Sequence, residues 1–346
     1  CDFNSHVYKD NLPETAYIEK LIADLKQDLP LLQDRKFTSV FIGGGTPSLF
    51  SPGGIETLLS AVEKLAGFSD DIEITMEANP GTFELEKFSA FRSAGINRLS
   101  IGIQSFQQSY LEKLGRVHSD NEAKLAAENA LAAGFENFNL DLMFGLTGQS
   151  VEDALKDLDM AITCNPPHLS WYQLTIEPNT LFYSKPPPLP EEEIISDIQN
   201  AGIEFLSNNG LSRYEVSAFS RQDQESRHNL NYWQFGDYLG IGAGAHGKVT
   251  LPEENRILRT RKIRQPDNYL KHENPLAEIK EVHTTELPLE FMMNLLRLSK
   301  GGEQTLFEER TGLYLKNIEP ILASLRDKNM LSADRLQATS KGYLFL

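Results

Sequence analysis

The sequence predicts an α/β fold in which parallel strands alternate with helices. Five short apolar segments carry this prediction, because each ends in turn residues and is followed by residues with helical periodicity. They are residues 37–42, 71–77, 97–103, 137–143 and 169–176. Right-handed crossovers between such units build either a barrel or a doubly wound sheet. The 346 residues also leave room for a small second domain, because single cores stop growing near about 250–300 residues.

The predicted helices lie between and around these strands. Apolar residues recur at helical spacing in four segments, at 14–29, 55–65, 121–133 and 151–162. The proline-rich segment 185–190 predicts a stiff, extended connection, and a further helix is expected over 191–208. The first helix needs a strand before it to complete the repeat. Because the sequence begins at Cys1 with no Met, we expect that strand to lie in a missing N-terminal segment.

The rest of the chain has a different pattern. Residues 221–264 are rich in Gly, Asn, Arg and Tyr and predict loops and short strands that carry special contacts. Helical periodicity returns from about Pro288, at 291–298 and 314–325, and the stretch 330–345 suggests a short β-hairpin. Together these elements predict a small winged-helix-like α+β domain at the C-terminal end.

Composition excludes several classes of protein. The formal net charge is −16 and the pI is about 4.9, whereas nucleic-acid binding and polybasic membrane anchoring need a positive field. No apolar run approaches the ~20 residues that span a bilayer, and no signal peptide is visible. Cys1 and Cys164 are the two cysteines, so disulfides do not organise the fold. We therefore expect a soluble, cytoplasmic protein that binds no nucleic acid.

Polar or glycine residues follow four consecutive predicted strands at the point where each strand ends. In parallel β/α architectures these ends form the active-site face, because the βα loops gather there. Glycines after the first strand let a ligand approach the backbone closely and meet its N–H groups. Four strands that direct hydrogen-bonding groups to one mouth therefore predict a ligand site. The residues concerned are Gly44, Gly45, Thr46, Glu77, Gln104 and Asp141.

Each of these residues alone also has a structural explanation. Three glycines can form a tight βα connection, Glu77 can cap a helix, and Asp141 can satisfy backbone N–H groups. Arg116 provides either a fork for a ligand carboxylate or a surface ion pair. Taken together, the acids suit an amine and a ribose, while the Arg and the backbone N–H groups suit a carboxylate. The set predicts recognition of a zwitterion that carries hydroxyl groups.

Five short motifs extend this interpretation. They are residues 1–5 (CDFNS), 43–47 (GGGTP), 76–81 (MEANPG), 100–105 (SIGIQS) and 140–143 (LDLM). They resemble the HemN/HemW group of the radical S-adenosylmethionine (radical SAM) superfamily, and the resemblance covers nearly the whole chain. It implies a partial (β/α)6 TIM-like radical SAM barrel over residues 1–220, without its first strand. It also implies a connecting region with a haem-binding motif over 221–287 and a HemN-like helical domain over 288–346.

The resemblance also implies cofactors. In this family a C-x-x-x-C-x-x-C motif binds a 4Fe-4S cluster through three thiolates, and Cys1 matches the last of them. One thiolate cannot hold such a cluster, so the other two are expected before Cys1. SAM binds the remaining iron, and its reductive cleavage gives a 5′-deoxyadenosyl radical. The family pattern assigns the SAM contacts to Gly44, Gly45, Thr46, Glu77, Gln104, Arg116 and Asp141.

Two functions are open within this group. Oxygen-independent coproporphyrinogen III oxidases carry a further Cys two residues after the third one, and Phe3 stands at that position here. The chain therefore resembles the HemW branch, whose members bind haem and deliver it to haem proteins. Residues 228–233 (HNLNYW) match the H-N-x-x-Y-W motif of that branch. A haem chaperone is expected, with coproporphyrinogen III oxidase as the alternative and with no residue assigned a catalytic role.

His228 is the expected haem ligand. A neutral imidazole is a common axial ligand of haem iron, and Tyr232 and Trp233 could cover the porphyrin. The structural alternative is a loop histidine capped by Asn229, with both aromatic rings packed in the core. The expected partners are haem and haem-accepting proteins, membrane-bound respiratory subunits among them. A homodimer is left open.

Other notable residues receive structural interpretations. His246 lies in a glycine-rich stretch that is expected to close over the barrel, although it is a second candidate ligand. Cys164 is expected to be a packed thiol, and His118 and His168 receive no role. The basic cluster of the chain is expected to line a solvated strand rather than to pair with haem propionates. Its members are Arg256, Arg259, Arg261, Lys262 and Arg264.

Overall fold

A seven-stranded sheet forms the larger part of the fold. The computed structural model describes residues 13–82, 85–116, 119–178 and 180–346. The strands of this sheet are β1 Phe37–Ile42, β2 Phe68–Ala78, β3 Arg98–Gln104, β4 Asn137–Phe144, β5 His168–Gln173, β6 Ser212–Glu215 and β7 Ala218–Ser220. Their spatial order is β1-β2-β3-β4-β5-β7-β6.

The five predicted strands are confirmed, and they form the parallel part of the sheet. Each of β1 to β5 pairs in parallel with the next strand along the chain. The edge beyond β5 is different, because β7 pairs antiparallel with both β5 and β6. Only two residues link β6 to β7, and a link that short permits an antiparallel pair but no crossover.

Helices lie between these strands along the chain, and the longer ones cover the outer face of the sheet. They are α1 Glu14–Leu32, α2 Pro52–Ala66, α3 Leu85–Ser93, α4 Gln108–Lys113, α5 Asp120–Ala132, α6 Val151–Thr163, α7 Leu181–Ser184 and α8 Glu192–Asn208. Strand residues such as Met76, Ile101 and Leu140 form one buried core with helix residues such as Leu59 and Phe91. Within the described ranges, no helix has the length and apolar character needed to cross a membrane.

Serine caps determine where several of these helices begin. Ser51 Oγ accepts the Gly54 N–H at 3.1 Å, and Pro52 occupies the first turn of α2, where its missing N–H costs nothing. The sequence prediction placed this helix later, because Pro52 and the two glycines after it conceal the first turn. Ser119 forms a capping box with Glu122 at the start of α5.

The inner face of the same strands is polar. Side chains alternate across a strand, so the residues between the core positions point to the concave side. These inward residues are Glu73, Thr75, Glu77, Arg98, Ser100, Gln104, Asn139, Asp141, His168, Ser170 and Tyr172. Parallel strands covered on both faces usually read as continuous apolar runs. A polar interior therefore indicates that this side of the sheet serves a ligand.

A short helix, α9 Arg227–Trp233, lies inside the sheet and shows how strongly the sheet curls. Phe41 of β1 stacks on His228 with 4.7 Å between ring centroids, while Asn229 donates to the Tyr214 hydroxyl of β6 at 3.3 Å. β1 and β6 are opposite edges, which would be about 29 Å apart in a flat sheet. A seven-residue helix is only about 10 Å long. The sheet is therefore wrapped around α9 as a partial barrel.

A three-stranded antiparallel sheet and five helices complete the chain. The strands are β8 His246–Leu251, β9 Arg256–Lys262 and β10 Leu276–Glu281, in the order β10-β9-β8. The helices are α10 Pro266–Lys271, α11 Leu287–Leu295, α12 Thr305–Thr311, α13 Glu319–Asp327 and α14 Ser340–Tyr343. The predicted C-terminal hairpin is reduced to an antiparallel bridge between Leu331 and Ala338. Of these helices, α10 and α12 were not predicted from the sequence.

A second hydrophobic core lies under the C-terminal helices. Phe291 and Phe307 are fully buried in it, and Phe235, Ile257 and Val282 pack against the same cluster. This core therefore draws residues from both sides of position 287. The divisions predicted after residues 220 and 287 stay predictions.

Lys262 corrects the expectation of a solvated basic strand. Its Nζ lies 2.6 Å from Asp24 Oδ1 and 2.8 Å from Asp28 Oδ2, both on α1, and its side chain is 1% exposed. The Tyr269 hydroxyl donates to Asp24 Oδ2 at 2.7 Å. A buried ammonium persists here because two carboxylates face it. Arg261, the preceding residue, is half in solvent, as predicted.

Candidate functional site

The turn after β1 is shaped by its glycines. Gly44 and Gly45 have φ angles of 80° and 68°, in the left-handed region that glycine adopts without strain. The Gly44 N–H donates to Glu77 Oε2 at 3.0 Å. A Cβ on Gly43 would lie 2.7 Å from Phe41 Cε1 and 2.9 Å from Glu77 Cδ. The turn of β1 and the acid of β2 therefore form one closely packed unit that accepts only glycine.

Thr46 and Gln104 occupy the adjoining strand ends. Asn79 Nδ2 donates to Thr46 Oγ1 at 3.5 Å, and Thr46 is half-buried. Gln104 has a φ of 63°, which is uncommon for a residue with a Cβ. Its Oε1 is buried and has no hydrogen-bond partner among the described residues. A residue in a strained conformation with a buried, unpaired acceptor is typical of a ligand site.

A cavity of about 340 Å³ opens at the ends of β2, β4 and β5. Glu77, Asp141 and Tyr172 line it, together with apolar side chains that include Met143 and Phe182. Few polar groups set among apolar walls are typical of a site for a small organic ligand. The structure thus brings three strand ends to one cavity, as the parallel topology predicts.

Two acidic side chains at this cavity, Glu77 and Asp141, have raised pKa values. Burial raises the pKa of Asp141, against hydrogen bonds from Asn139 and Ser100 that lower it. Burial also raises the pKa of Glu77, the Gly44 N–H lowers it, and the nearby Asp141 raises it further. Two neighbouring half-buried acids would be stabilised as carboxylates by a ligand that supplies hydroxyl or ammonium donors.

Arg116 does not line the cavity, but it lies close enough to Tyr172 and Asp141, which do, to interact with their charges. Burial lowers the pKa of its guanidinium, while Tyr172 and Asp141 act in the opposite direction. Its Nε is buried without a hydrogen-bond partner in the part of the chain that the structure describes. A half-buried guanidinium with an unused donor suits an anionic group of a ligand.

A chain of hydrogen bonds runs from Asp141 across the barrel interior. Ser100 Oγ donates to Asp141 Oδ2 at 2.9 Å, and Asn139 Nδ2 donates to Asp141 Oδ1 at 2.8 Å. Asn139 Oδ1 lies 2.7 Å from Nδ1 of His168, and Nε2 of His168 lies 2.9 Å from the Tyr214 hydroxyl. Asn139 and His168 are fully buried. The chain crosses from β3 and β4 through β5 to β6.

The donors of this chain all point toward Asp141. Asn139 uses its NH2 group on Asp141, so its oxygen faces His168 and the Nδ1 of His168 carries the proton. Nε2 then accepts from the Tyr214 hydroxyl, whose oxygen accepts from Asn229 Nδ2 at 3.3 Å. Burial, and secondarily Arg98, keeps the pKa of His168 well below its usual range. A neutral His168 therefore joins Asp141 to α9.

Replacing His168 with Gln should change how stability depends on pH. His168 is neutral when folded but titrates near about pH 6.5 in the unfolded chain, so the unfolded chain gains a proton as the pH falls below that value. The wild type should lose stability there, and His168→Gln should lose less. We expect the variant to be less stable by about 1–3 kcal/mol near pH 7.5 and the gap to narrow near pH 5. Urea unfolding of both proteins at both pH values measures the free energies of unfolding. An equal difference between wild type and variant at the two pH values would contradict the prediction.

His228 lies on α9 in the barrel interior. Its backbone N–H donates to Glu73 Oε1 at 3.0 Å, which fixes the start of the helix to β2. Its ring stacks on Phe41 at 4.7 Å and tilts against Tyr232 at 4.9 Å between centroids. Burial lowers the pKa of His228 to about 4, so the imidazole is neutral near neutral pH.

The two aromatic residues of the H-N-x-x-Y-W motif differ in what they contact. Tyr232 touches His228 and stacks on Tyr238 at 4.2 Å between centroids. Trp233 packs against the second core, and the Arg297 guanidinium lies 4.3 Å above its ring. Tyr232 therefore belongs to the surroundings of His228, whereas Trp233 has the structural position that the alternative interpretation gave it.

The other candidate residues lie apart from this interior. Cys1, the predicted cluster ligand, lies outside the described residues, as do Phe3 and His118. Over the described ranges, no group of three or more His, Cys, Asp or Glu side chains could hold a metal ion. His246 is exposed at the start of β8. Cys164 is half-buried after α6, and burial raises the pKa of its thiol, in line with the expected packed thiol.

Sequence reasoning missed the inward residues that lie before the strand ends. Ser100, Asn139, His168 and Tyr172 received no role, although the first three hold Asp141 directly or through one another and the last lines the cavity. A signal was present in residues 137–141 (NFNLD), where polar and apolar side chains alternate. That alternation indicates one polar and one apolar face on the strand.

The curled parallel sheet with polar strand ends defines the class of radical SAM partial barrels, and the family model of the Radical SAM superfamily matches residues 1–161. The protein of Escherichia coli (strain K12) named heme chaperone HemW is 48% identical over 348 residues, covering 100% of this chain and 92% of that protein. The HemW protein of Bacillus subtilis (strain 168) is 32% identical over 353 residues, covering 99% and 92%. The chain belongs to the HemW family of this superfamily.

A solved structure confirms the predicted fold. Coproporphyrinogen III oxidase (HemN) from Escherichia coli matches with a TM-score of 0.81, covering 100% of this chain and 84% of that one. The partial barrel with its small C-terminal α+β part is therefore present here, as the motifs implied. At 21% identity this likeness concerns the fold alone.

Proposed function

We propose that this protein is a haem chaperone that binds haem through His228 and keeps a SAM site at the strand ends of its barrel. Relatives named heme chaperone HemW, at up to 48% identity over the whole chain, support the function. The structural observation that carries the ligand assignment is the position of His228 on α9 inside the barrel, where its ring meets Phe41 and Tyr232. A neutral imidazole nitrogen is a common ligand of haem iron.

The surroundings of His228 suit a porphyrin. Glu73 engages its backbone N–H rather than its ring, so the described contacts of the ring are with the aromatic faces of Phe41 and Tyr232. Aromatic rings pack well against a flat macrocycle and exclude water from it. In this proposal Tyr232 flanks the haem, and Trp233 keeps α9 attached to the second core.

Loss of haem binding in His228→Ala tests the proposal. Removing the imidazole should change the Soret spectrum and raise the haem Kd at least about tenfold, as loss of a metal-supporting group usually does. Exposed His246 offers a matched control, because His246→Ala removes an imidazole outside the barrel interior. The measurement is an anaerobic haem titration of the three proteins. Wild-type spectra and affinity in His228→Ala would contradict the assignment.

The residues at the strand ends fit SAM. Asp141 and Glu77 offer acceptors for the ribose hydroxyls and the ammonium group, and Arg116 offers its unused donor to the carboxylate. Gln104 offers a buried amide oxygen without a described partner, and Gly45, whose φ is 68°, offers a backbone N–H. When bound beside a 4Fe-4S cluster, SAM supplies a source of an adenosyl radical. Calorimetric titration with SAM tests the site, and an absence of binding would contradict it.

Family membership supports the proposed cluster and partners. Cys1 is one proposed thiolate ligand of a 4Fe-4S cluster, because thiolates bind such clusters and Cys1 lies within the part of the chain that matches the Radical SAM superfamily. Haem-dependent proteins are the proposed acceptors, membrane-bound respiratory subunits among them, and the cytoplasm is the proposed location. Transfer of haem from the loaded protein to an apo haem protein, followed by absorbance, tests the delivery step.

A further inference from the structure

The hydrogen-bonded chain described above has one end in each proposed site. At one end, Asp141 lines the cavity assigned to SAM. At the other end, Asn229 is the residue after His228 on α9, and its Nδ2 donates to Tyr214. Tyr214 is buried, and its hydroxyl meets His168 and Asn229. The two sites are therefore joined by contacts that do not depend on the backbone between them.

Each hydrogen-bonding group in this chain determines the orientation or protonation of the next one. An ionised Asp141 accepts from both Ser100 and Asn139, which sets the orientation of the Asn139 amide. That orientation places the proton of His168 on Nδ1. Nε2 is then unprotonated and accepts the hydrogen bond from Tyr214. Directional chains of this kind polarise one another, and their bonds strengthen together.

We infer that this chain couples the two sites, so that SAM bound at Asp141 and haem bound at His228 favour each other, with His168 and Tyr214 as positioning residues. The inference rests on the proposed function. Ligand hydroxyl groups that donate to Asp141 stabilise its carboxylate form, and the carboxylate orders Asn139, His168 and Tyr214 in turn. An ordered Tyr214 holds Asn229 and with it α9. Because binding linkage is reciprocal, haem must then also tighten SAM.

The test is the haem Kd measured anaerobically with and without saturating SAM. Coupling of this kind typically changes affinity by about 5- to 150-fold, and a chain with a 3.3 Å terminal link should give about 5- to 10-fold tightening. Tyr214→Phe removes only the hydroxyl that joins His168 to Asn229. In that variant the ratio of the two Kd values should fall to about 1, while the haem Kd without SAM changes by less than about threefold.

Tyr269→Phe is the matched control. It also removes a buried hydroxyl, the one that donates to Asp24 at 2.7 Å. Because Tyr269 is not part of the hydrogen-bonded chain from Asp141 to Asn229, this variant should keep the wild-type ratio of the haem Kd values without and with SAM. Asn229→Ala breaks the chain at its half-buried end and should repeat the Tyr214→Phe result if that variant folds poorly. A wild-type ratio of 1 with both ligands bound, or an unchanged ratio in these variants, would overturn the coupling. Failure of the wild type to bind haem or SAM would overturn the proposed function instead.

Discussion

Lys262→Met is expected to destabilise the protein by about 3–5 kcal/mol, which is the usual cost of removing one partner from a buried ion pair. The ammonium of Lys262 faces the Asp24 and Asp28 carboxylates, and all three groups are at least nine-tenths buried. Without it, two like charges would remain together in a site of low dielectric constant. Burial already raises the pKa of Asp28, and Lys262 is the group that opposes this rise. Urea unfolding near neutral pH measures the loss.

The neighbouring residue supplies the control for this substitution. Arg261 lies on the same strand but pairs with Glu278 in solvent, so Arg261→Met should cost at most about 1 kcal/mol. Adding Asp24→Asn to Lys262→Met should recover part of the lost stability, because it removes one of the two unpaired charges. Equal losses in Lys262→Met and Arg261→Met would show that the ion pair does not stabilise the fold.

Gly202→Ala is expected to destabilise the protein by about 2–3 kcal/mol through overpacking. Gly202 lies on α8 where Trp171 of β5 presses against the helix, and a Cβ there would be 1.9 Å from Trp171 Cη2. Trp171 is 2% exposed and packs on Phe144 at 4.4 Å between centroids, so it has little room to move. Thermal and urea unfolding measure the effect.

Gly53→Ala is the matched substitution on another helix. Gly53 lies in α2, and no heavy atom would come within 4 Å of its added Cβ. The usual preference of helices for Ala should then stabilise the protein by up to about 1 kcal/mol. Adding Trp171→Phe to Gly202→Ala should relieve the clash, because the phenyl ring is shorter. A neutral or stabilising Gly202→Ala would refute the overpacking.

The parallel strands could be predicted from the sequence because their signal is local. Most outer residues of β2 to β5 are apolar and belong to one buried core, so short apolar runs identify the strands. The glycine turn was also predictable, since three glycines directly follow the first apolar run and the left-handed backbone of Gly44 and Gly45 favours glycine. These features depend on neighbours a few residues away.

The roles of His168 and Lys262 could not be predicted in this way. His168 meets Asn139 only because β4 and β5 pair with those two residues in register. Lys262 meets Asp28 across 234 positions of sequence. Nothing near Lys262 in the sequence therefore distinguishes it from the solvated basic residues beside it. Such contacts are set by strand register and by the packing of distant elements. A sequence alone records neither.

The polar inner face of the sheet has a consequence for how substitutions act. Leu140 and Asp141 are adjacent on β4, yet Leu140 is sealed in the apolar core and Asp141 lines the cavity. Core residues and residues that face the ligand site therefore alternate along each strand, because only the outward residues bury apolar surface against the helices. Moving one residue along the second half of β2, β3 or β4 exchanges a position in the apolar core for one on the polar inner face. Tolerance to mutation along these strands should alternate with the same period of two.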